Sequence, residues 1–165
     1  MNVSICMRTE VLLAEPESDL KTLLCKIATP NPRQIYVVDK GYHLQGVITS
    51  YDLFKKIVPS YMTADLARSI TDGGDLMQKQ FENAQNLLAK DLMVTEFISL
   101  RLNSQLLEVD ALIAEKGCHA FPVVDEEGRL LGEITRLDIL IRFVDNYLEP
   151  GRVKDELVDL SSVSF

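Results

Sequence analysis

Two short runs in this chain carry the residue types to hold a ligand. Gly46, Thr49 and Asp52 form one G-x-x-T-x-x-D sequence, and Gly132, Thr135 and Asp138 form the other. Each sits where a strand-like apolar stretch turns into helical spacing. A threonine at a helix start can accept a backbone N–H, and an acid three residues later can reach back, which is a capping box in outline. The same geometry suits binding. A helix N-terminus offers free N–H groups and partial positive charge to a phosphate. A carboxylate there can accept two hydroxyl bonds from a cis-diol such as ribose. Two copies favour function, although a duplicated fold also duplicates its caps.

The motifs belong to a larger repeat. Tyr36–Asp52 (YVVDKGYHLQGVITSYD) aligns with Pro122–Asp138 (PVVDEEGRLLGEITRLD), and Asp39/Asp125, Gly46/Gly132, Thr49/Thr135 and Asp52/Asp138 all lie 86 positions apart. The register extends upstream through Met7/Met93, Thr9/Thr95, Ser18/Ser104 and Ile27/Ile113. Such a duplication means one fold from two similar halves, with sites expected in pairs at their junction.

Other candidates are weaker. Asp39 and Asp125 end strands before turns, where a turn role is the simpler reading. Arg33 and His119 occupy matching positions just before the V-V-D strands, where a cation is usually solvated. His43 lies in a turn. The only histidines are His43 and His119, and no Cys/His/carboxylate cluster has metal spacing. No P-loop, G-x-G-x-x-G or nucleophile elbow is present, which argues against catalysis.

Composition sets the bounds. The 165 residues suffice for one domain or two small ones sharing a core. A net charge of −8 disfavours a nucleic-acid partner. No apolar run approaches a membrane span and no signal peptide is visible, so a cytoplasmic, membrane-free protein is expected. Cys6, Cys25 and Cys118, without a C-x-x-C pair, read as reduced core thiols.

The elements that must position the motifs run strand, helix, strand, strand, helix, twice. The first half gives Val11–Ala14, Asp19–Ala28, the hairpin Ile35–Val38 with Leu44–Thr49, and a helix from Tyr51 to Val58. The second gives Phe97–Leu100 as a strand, then a helix capped by Ser104 and ended by Gly117. The hairpin Phe121–Val124 with Leu130–Thr135 follows, and then a helix from Arg136. Thr29-Pro30-Asn31-Pro32 stiffens the approach to one hairpin only. Between the halves, Met77, Phe81, Ala84, Leu88 and Leu92 predict one long amphipathic helix. The divisions are repeat 1 over 1–59, a helical linker over 60–88, repeat 2 over 89–148 and a tail over 149–165, expected to be partly disordered.

These residues are recognisable. Two β-α-β-β-α units with (P)-V-V-D and G-x-x-T-x-x-D resemble a tandem pair of CBS domains, the cystathionine-β-synthase-type regulatory module, over Val3–Pro59 and Ala89–Tyr147. FPVVDEEGRLLGEITRLDIL follows the family pattern almost throughout, whereas Tyr36 replaces the usual proline. The resemblance implies an α+β fold with pseudo-twofold packing and two clefts for adenosine-containing ligands such as AMP, ADP, ATP or S-adenosylmethionine. It implies that Thr135 and Asp138 share one cleft with Thr9, Arg33, Gln34 and Ile35, and that Thr49 and Asp52 share the other with Thr95, His119, Ala120 and Phe121. Arg33, His119 and Arg136 fall at positions for phosphate contacts. The second-copy motif is the closer match, which ranks the Asp138 cleft first. The expected protein is a regulatory sensor, not an enzyme, with no required cofactor or metal. It would form a disc-like homodimer and report to an effector protein. The alternative is a ligand-free dimerisation or interaction module, with the motifs serving only as caps.

Overall fold

The computed structural model describes residues 1–29, 34–151 and 161. The Pro30–Pro32 approach, Arg33 and nearly all the tail therefore lie outside the described residues. The fold is α+β. In the first repeat β1 (Leu12–Ala14) leads to α1 (Leu20–Ile27), then β2 (Ile35–Val38), β3 (Leu44–Ile48) and α2 (Ser50–Ile57). β1 runs parallel to β2, and β2 pairs antiparallel with β3. Two helices follow, α3 (Ala64–Arg68) and α4 (Gly73–Ala84). The second repeat comprises α5 (Ala89–Leu92), α6 (Leu106–Lys116), β4 (Ala120–Val124), β5 (Leu130–Thr135) and α7 (Arg136–Phe143), which runs on into a π-helical turn, Val144–Leu148.

Local chemistry explains most boundaries. The Asp19 carboxylate accepts the Thr22 N–H at 2.8 Å and starts α1. Gly117, at φ +66°, ends α6 in the left-handed conformation that glycine adopts without strain. Leu20, Leu23 and Ile27 recur at helical spacing and are buried beneath the first sheet.

Three expectations fail. Phe97–Leu100 is not a strand: Ser99 stands where β1 has Leu13, and only Leu100 is buried and bridges to Val123. Ser104 does not cap α6; its hydroxyl accepts the Arg101 N–H at 3.1 Å and so closes the preceding turn, leaving Gln105 at the cap. The stripe from Met77 to Leu92 is two helices, because α4 stops at Ala84 and Leu88 caps α5, its N–H held by the Asp91 carboxylate at 2.9 Å. Phe81 and Ala84 still pack on the first core.

The two repeats exchange their leading segments. Ala89 and Leu92 of α5 are buried in the core of the first repeat, and Val3 is buried in the core of the second. The backbone repeats this exchange. Ala89 N–H donates to Ser18 O at 2.8 Å and Val3 N–H to Ser104 O at 2.9 Å. Arg8 and Glu133 exchange two backbone bonds, as do Val94 and Val47. The hairpin tips also meet, Leu44 N–H donating to Gly128 O and Leu130 N–H to Tyr42 O. Every one of these pairs maps onto its counterpart by the 86-residue offset, so the junction has pseudo-twofold symmetry.

The exchange accounts for the motif glycines. A Cβ on Gly132 would stand 2.2 Å from the Arg8 carbonyl oxygen, and one on Gly46 would stand 2.6 Å from Met93 Sδ. Each glycine lets the other repeat's leading segment cross its strand.

Candidate functional site

Both motif acids sit at the first turn of an eight-residue helix and complete a capping box. Thr49 N–H and Oγ1 donate to Asp52 Oδ2 at 2.9 and 2.8 Å, and Asp52 N–H donates back to Thr49 Oγ1 at 3.2 Å. Thr135 N–H and Oγ1 donate to Asp138 Oδ2 at 2.8 and 2.6 Å, with the return bond again 3.2 Å. The cap engages one carboxylate oxygen in each copy and leaves Oδ1.

What meets Oδ1 differs. In the second repeat the Arg8 Nε, carried by the crossing segment, donates to Asp138 Oδ1, and Asp138 is only 7% exposed. In the first repeat Val94 holds the position equivalent to Arg8, and among the described residues Asp52 Oδ1 has only the Lys55 ammonium, 3.6 Å away on the same helix. Lys55 also lies over the Tyr51 ring. Asp52 is 18% exposed.

The other expected residues fall around these two acids. Thr9 follows Arg8 and Thr95 follows Val94, so each lies on the segment that crosses to the other repeat; both are exposed. Gln34 and Ala120 are equivalents under the offset and meet across the junction, Gln34 Nε2 donating to Ala120 O at 3.3 Å. His119 and Arg136 are exposed neighbours whose backbones pair, Arg136 N–H donating to His119 O. Ile35 and Phe121 point into the two cores, so only their backbone can face a cleft. Asp39 and Asp125 organise the hairpin tips: each accepts two backbone N–H groups, and they pair with His43 and Arg129.

Two features of the junction escaped sequence reasoning. Arg8 was visible only as the odd residue when Met7-Arg8-Thr9 is set against Met93-Val94-Thr95. Tyr36 stands out as the residue replacing proline, but its partner does not: its hydroxyl donates to Glu133 Oε2 at 2.7 Å, and both side chains are fully buried. The other repeat has Pro122 and Val47 at these two positions. The cysteines also depart from expectation, since Cys25 is exposed and Cys6 and Cys118 are half-buried. Burial pushes the Cys6 thiol up, with Asp138 and Asp110 adding to the rise and Arg142 opposing it. Among the described residues no group of His, Cys, Asp and Glu could hold a metal. No helix there is long and apolar enough to cross a membrane.

Comparison with known proteins decides the family. The CBS domain model matches residues 3–59 and 89–145. The chain belongs to the CBS-domain family and carries two copies. Among curated relatives, an uncharacterised protein of Methanopyrus kandleri is 25% identical over 140 residues, 85% of this chain and 61% of that protein. The chloroplastic CBS domain-containing protein CBSX2 of Arabidopsis thaliana is 25% identical over 140 residues, 81% of this chain and 58% of that protein. The chain thus spans about three fifths of the length of these relatives. A crystal structure of CBSX2 in complex with AMP superposes with a TM-score of 0.67 at 22% identity, covering 87% of this chain and 96% of that one. The CBS domain pair of protein MJ0100, solved with 5′-methylthioadenosine and S-adenosyl-L-methionine, gives 0.62 at 18% identity, covering 87% and 95%. At these identities the structures share this chain's CBS-pair fold.

Proposed function

We propose that this CBS pair is a regulatory module that binds an adenosine-containing ligand at the junction of its repeats and reports its occupancy to a partner. The carrying observation is a carboxylate placed twice at a helix N-terminus, with one oxygen spent on the cap and the other turned to a basic side chain, Arg8 across the junction for Asp138 and Lys55 of the same helix for Asp52. Such a carboxylate accepts the two hydroxyls of ribose, while the helix N-terminus and Thr49 or Thr135 favour phosphate. Thr9, Gln34 and the backbone of Ile35 wall the Asp138 cleft; Thr95, Ala120 and the backbone of Phe121 wall the Asp52 cleft. Arg136 is an exposed cation, and His119 an exposed hydrogen-bonding side chain, for the phosphate. Relatives of the same fold solved with AMP and with S-adenosyl-L-methionine support the ligand class. A ligand signals only if it binds one arrangement of repeats or subunits better than another.

A second copy is the partner that the surface favours. α2 exposes Tyr51 and Phe54 with Tyr61 beyond it, and α7 exposes Leu137, Leu140 and Phe143 with Tyr147 beyond it. Tyr51/Leu137, Phe54/Leu140 and Tyr61/Tyr147 are equivalents, so two matching apolar faces lie ready for a disc-like homodimer. These faces are the surface on which a ligand-free interaction module would also depend.

Thermal unfolding against AMP, ADP, ATP and S-adenosylmethionine tests the reading. Ligand at 100 times its dissociation constant adds about 2.7 kcal/mol per site, or roughly 5–10 °C in a chain of this size. Loss of that shift in Asp52→Asn or Asp138→Asn is expected. No shift with any ligand, together with dimers that dissociate on Phe54→Glu and Leu140→Glu, would instead support the interaction module.

A further inference from the structure

We propose that Arg8 closes the Asp138 cleft to uncharged nucleosides and admits only ligands that carry phosphate, while the Asp52 cleft accepts either. The inference rests on the adenosyl-ligand reading above and adds a different ligand class for each cleft.

Asp138 has both oxygens engaged, Oδ2 by Thr135 and Oδ1 by Arg8. A ribose diol must take Oδ1 from a partly buried guanidinium, which then loses its counter-charge. A charge-assisted bond of this kind costs a competing neutral hydroxyl roughly tenfold to a hundredfold in affinity. A phosphate ester removes that penalty, because it brings its own acceptors and matches a guanidinium with two parallel bonds. One turn further along α7, Arg142 keeps its buried Nε without a hydrogen-bond partner among the described residues, and its charge acts on Cys6 as that of Asp138 does. Among the described residues, the surroundings of Asp138 therefore hold two guanidinium groups.

The other cleft lacks this arrangement. Val94 brings no charge, and the Lys55 ammonium at 3.6 Å is a half-exposed side chain that moves at little cost. Arg8 and Val94 make the same pair of backbone bonds, so the two clefts share this pairing and differ here in side chain. Arg8→Val therefore copies one cleft's chemistry into the other.

Titration calorimetry of the whole chain with adenosine and with AMP tests the proposal. The parent is expected to bind adenosine at one site, lost in Asp52→Asn, and AMP at two. Arg8→Val and Arg8→Gln are each expected to gain a second adenosine site, at least about tenfold tighter than the weakest adenosine binding measurable in the parent's Asp138 cleft. Arg8→Gln keeps the side-chain length should the valine variant fold poorly. Adenosine filling both clefts of the parent would overturn the proposal. So would an unchanged single adenosine site in both Arg8 variants, and either result leaves the adenosyl-ligand reading standing. Binding of neither ligand to any variant would overturn both.

Discussion

The Asp52 and Asp138 clefts share their caps, their crossing segments and their backbone pairing, and differ in three side-chain pairs. Val94 faces Arg8 across the pseudo-twofold, Val47 faces Glu133 and Pro122 faces Tyr36. Duplication supplied two equivalent backbones. Side chains then left one cleft with a loosely held, half-exposed ion pair, and made the other buried and tightly bonded. The lesson is that a repeated motif fixes where a site lies, while residues from the opposite repeat fix what the site accepts. Separate measurements on each half can break or sharpen that contrast.

The largest difference is expected at the motif glycines. In Gly132→Ala the new Cβ meets a backbone carbonyl oxygen at 2.2 Å, whereas in Gly46→Ala it meets Met93 Sδ and Cγ at 2.6 and 2.7 Å, which can rotate away, and Met93 Cβ at 2.8 Å, which only a smaller backbone shift relieves. Overpacking costs about 1–3 kcal/mol, with Gly132→Ala at the upper end and Gly46→Ala, whose contacts are partly flexible, below it. Urea unfolding of the two variants should rank them in that order. Equal losses would show that both crossings are equally rigid.

Next comes the buried pair. Tyr36→Phe keeps the ring and removes the donor to Glu133, a hydrogen bond to a fully buried carboxyl group. A loss of about 1.5–3 kcal/mol is expected. Adding Glu133→Val, the residue type that the other repeat uses, should recover part of it, and the coupling follows from a double-mutant cycle. Strictly additive effects would mean that the bond contributes nothing of its own.

Such pairs mark the limit of what the sequence discloses. The 86-residue register made both hairpins, both capping boxes and the paired acids legible, because each depends on residues close in sequence. The exchange of leading segments did not show, since Val3 bonding to Ser104 leaves no periodicity. Arg8 carries no local signal either; its importance comes from a contact 130 residues away. Phe97–Leu100 misled for the converse reason. It has the composition of a strand, but only Leu100 finds a partner.

A smaller effect is expected at the hairpin tips, which differ at one backbone position. Tyr42 adopts φ +65° where its equivalent Gly128 adopts φ +83°. A side chain in the left-handed region costs about 1 kcal/mol, and glycine returns part of that gain as unfolded-state entropy. Tyr42→Gly should therefore stabilise by about 0.5 kcal/mol, with little packing lost because Tyr42 is largely exposed. A destabilised variant would show that the tyrosine ring makes contacts that outweigh the strain.

The smallest expected effect is the pH response of the same tips. The backbone N–H of His43 leads the groups that hold the Asp39 carboxyl below the usual range. Burial pushes Asp125 up, but the backbone and guanidinium of Arg129 outweigh it and leave that carboxyl depressed as well. A carboxyl whose pKa is lower folded than unfolded adds stability that is fully present above the unfolded value of about 3.9. That stability is lost as pH falls through this value towards the folded one. The thermal midpoint should thus fall on acidification below about pH 4, and Asp39→Asn and Asp125→Asn should each flatten the fall. The asparagine oxygen still accepts the turn N–H groups, so both variants should keep the fold near neutral pH. If both variants track the parent between about pH 4 and pH 2, the tips do not carry the acid response. It would then fall to other depressed carboxyls such as Asp19, which the Thr22 N–H holds low at the start of α1.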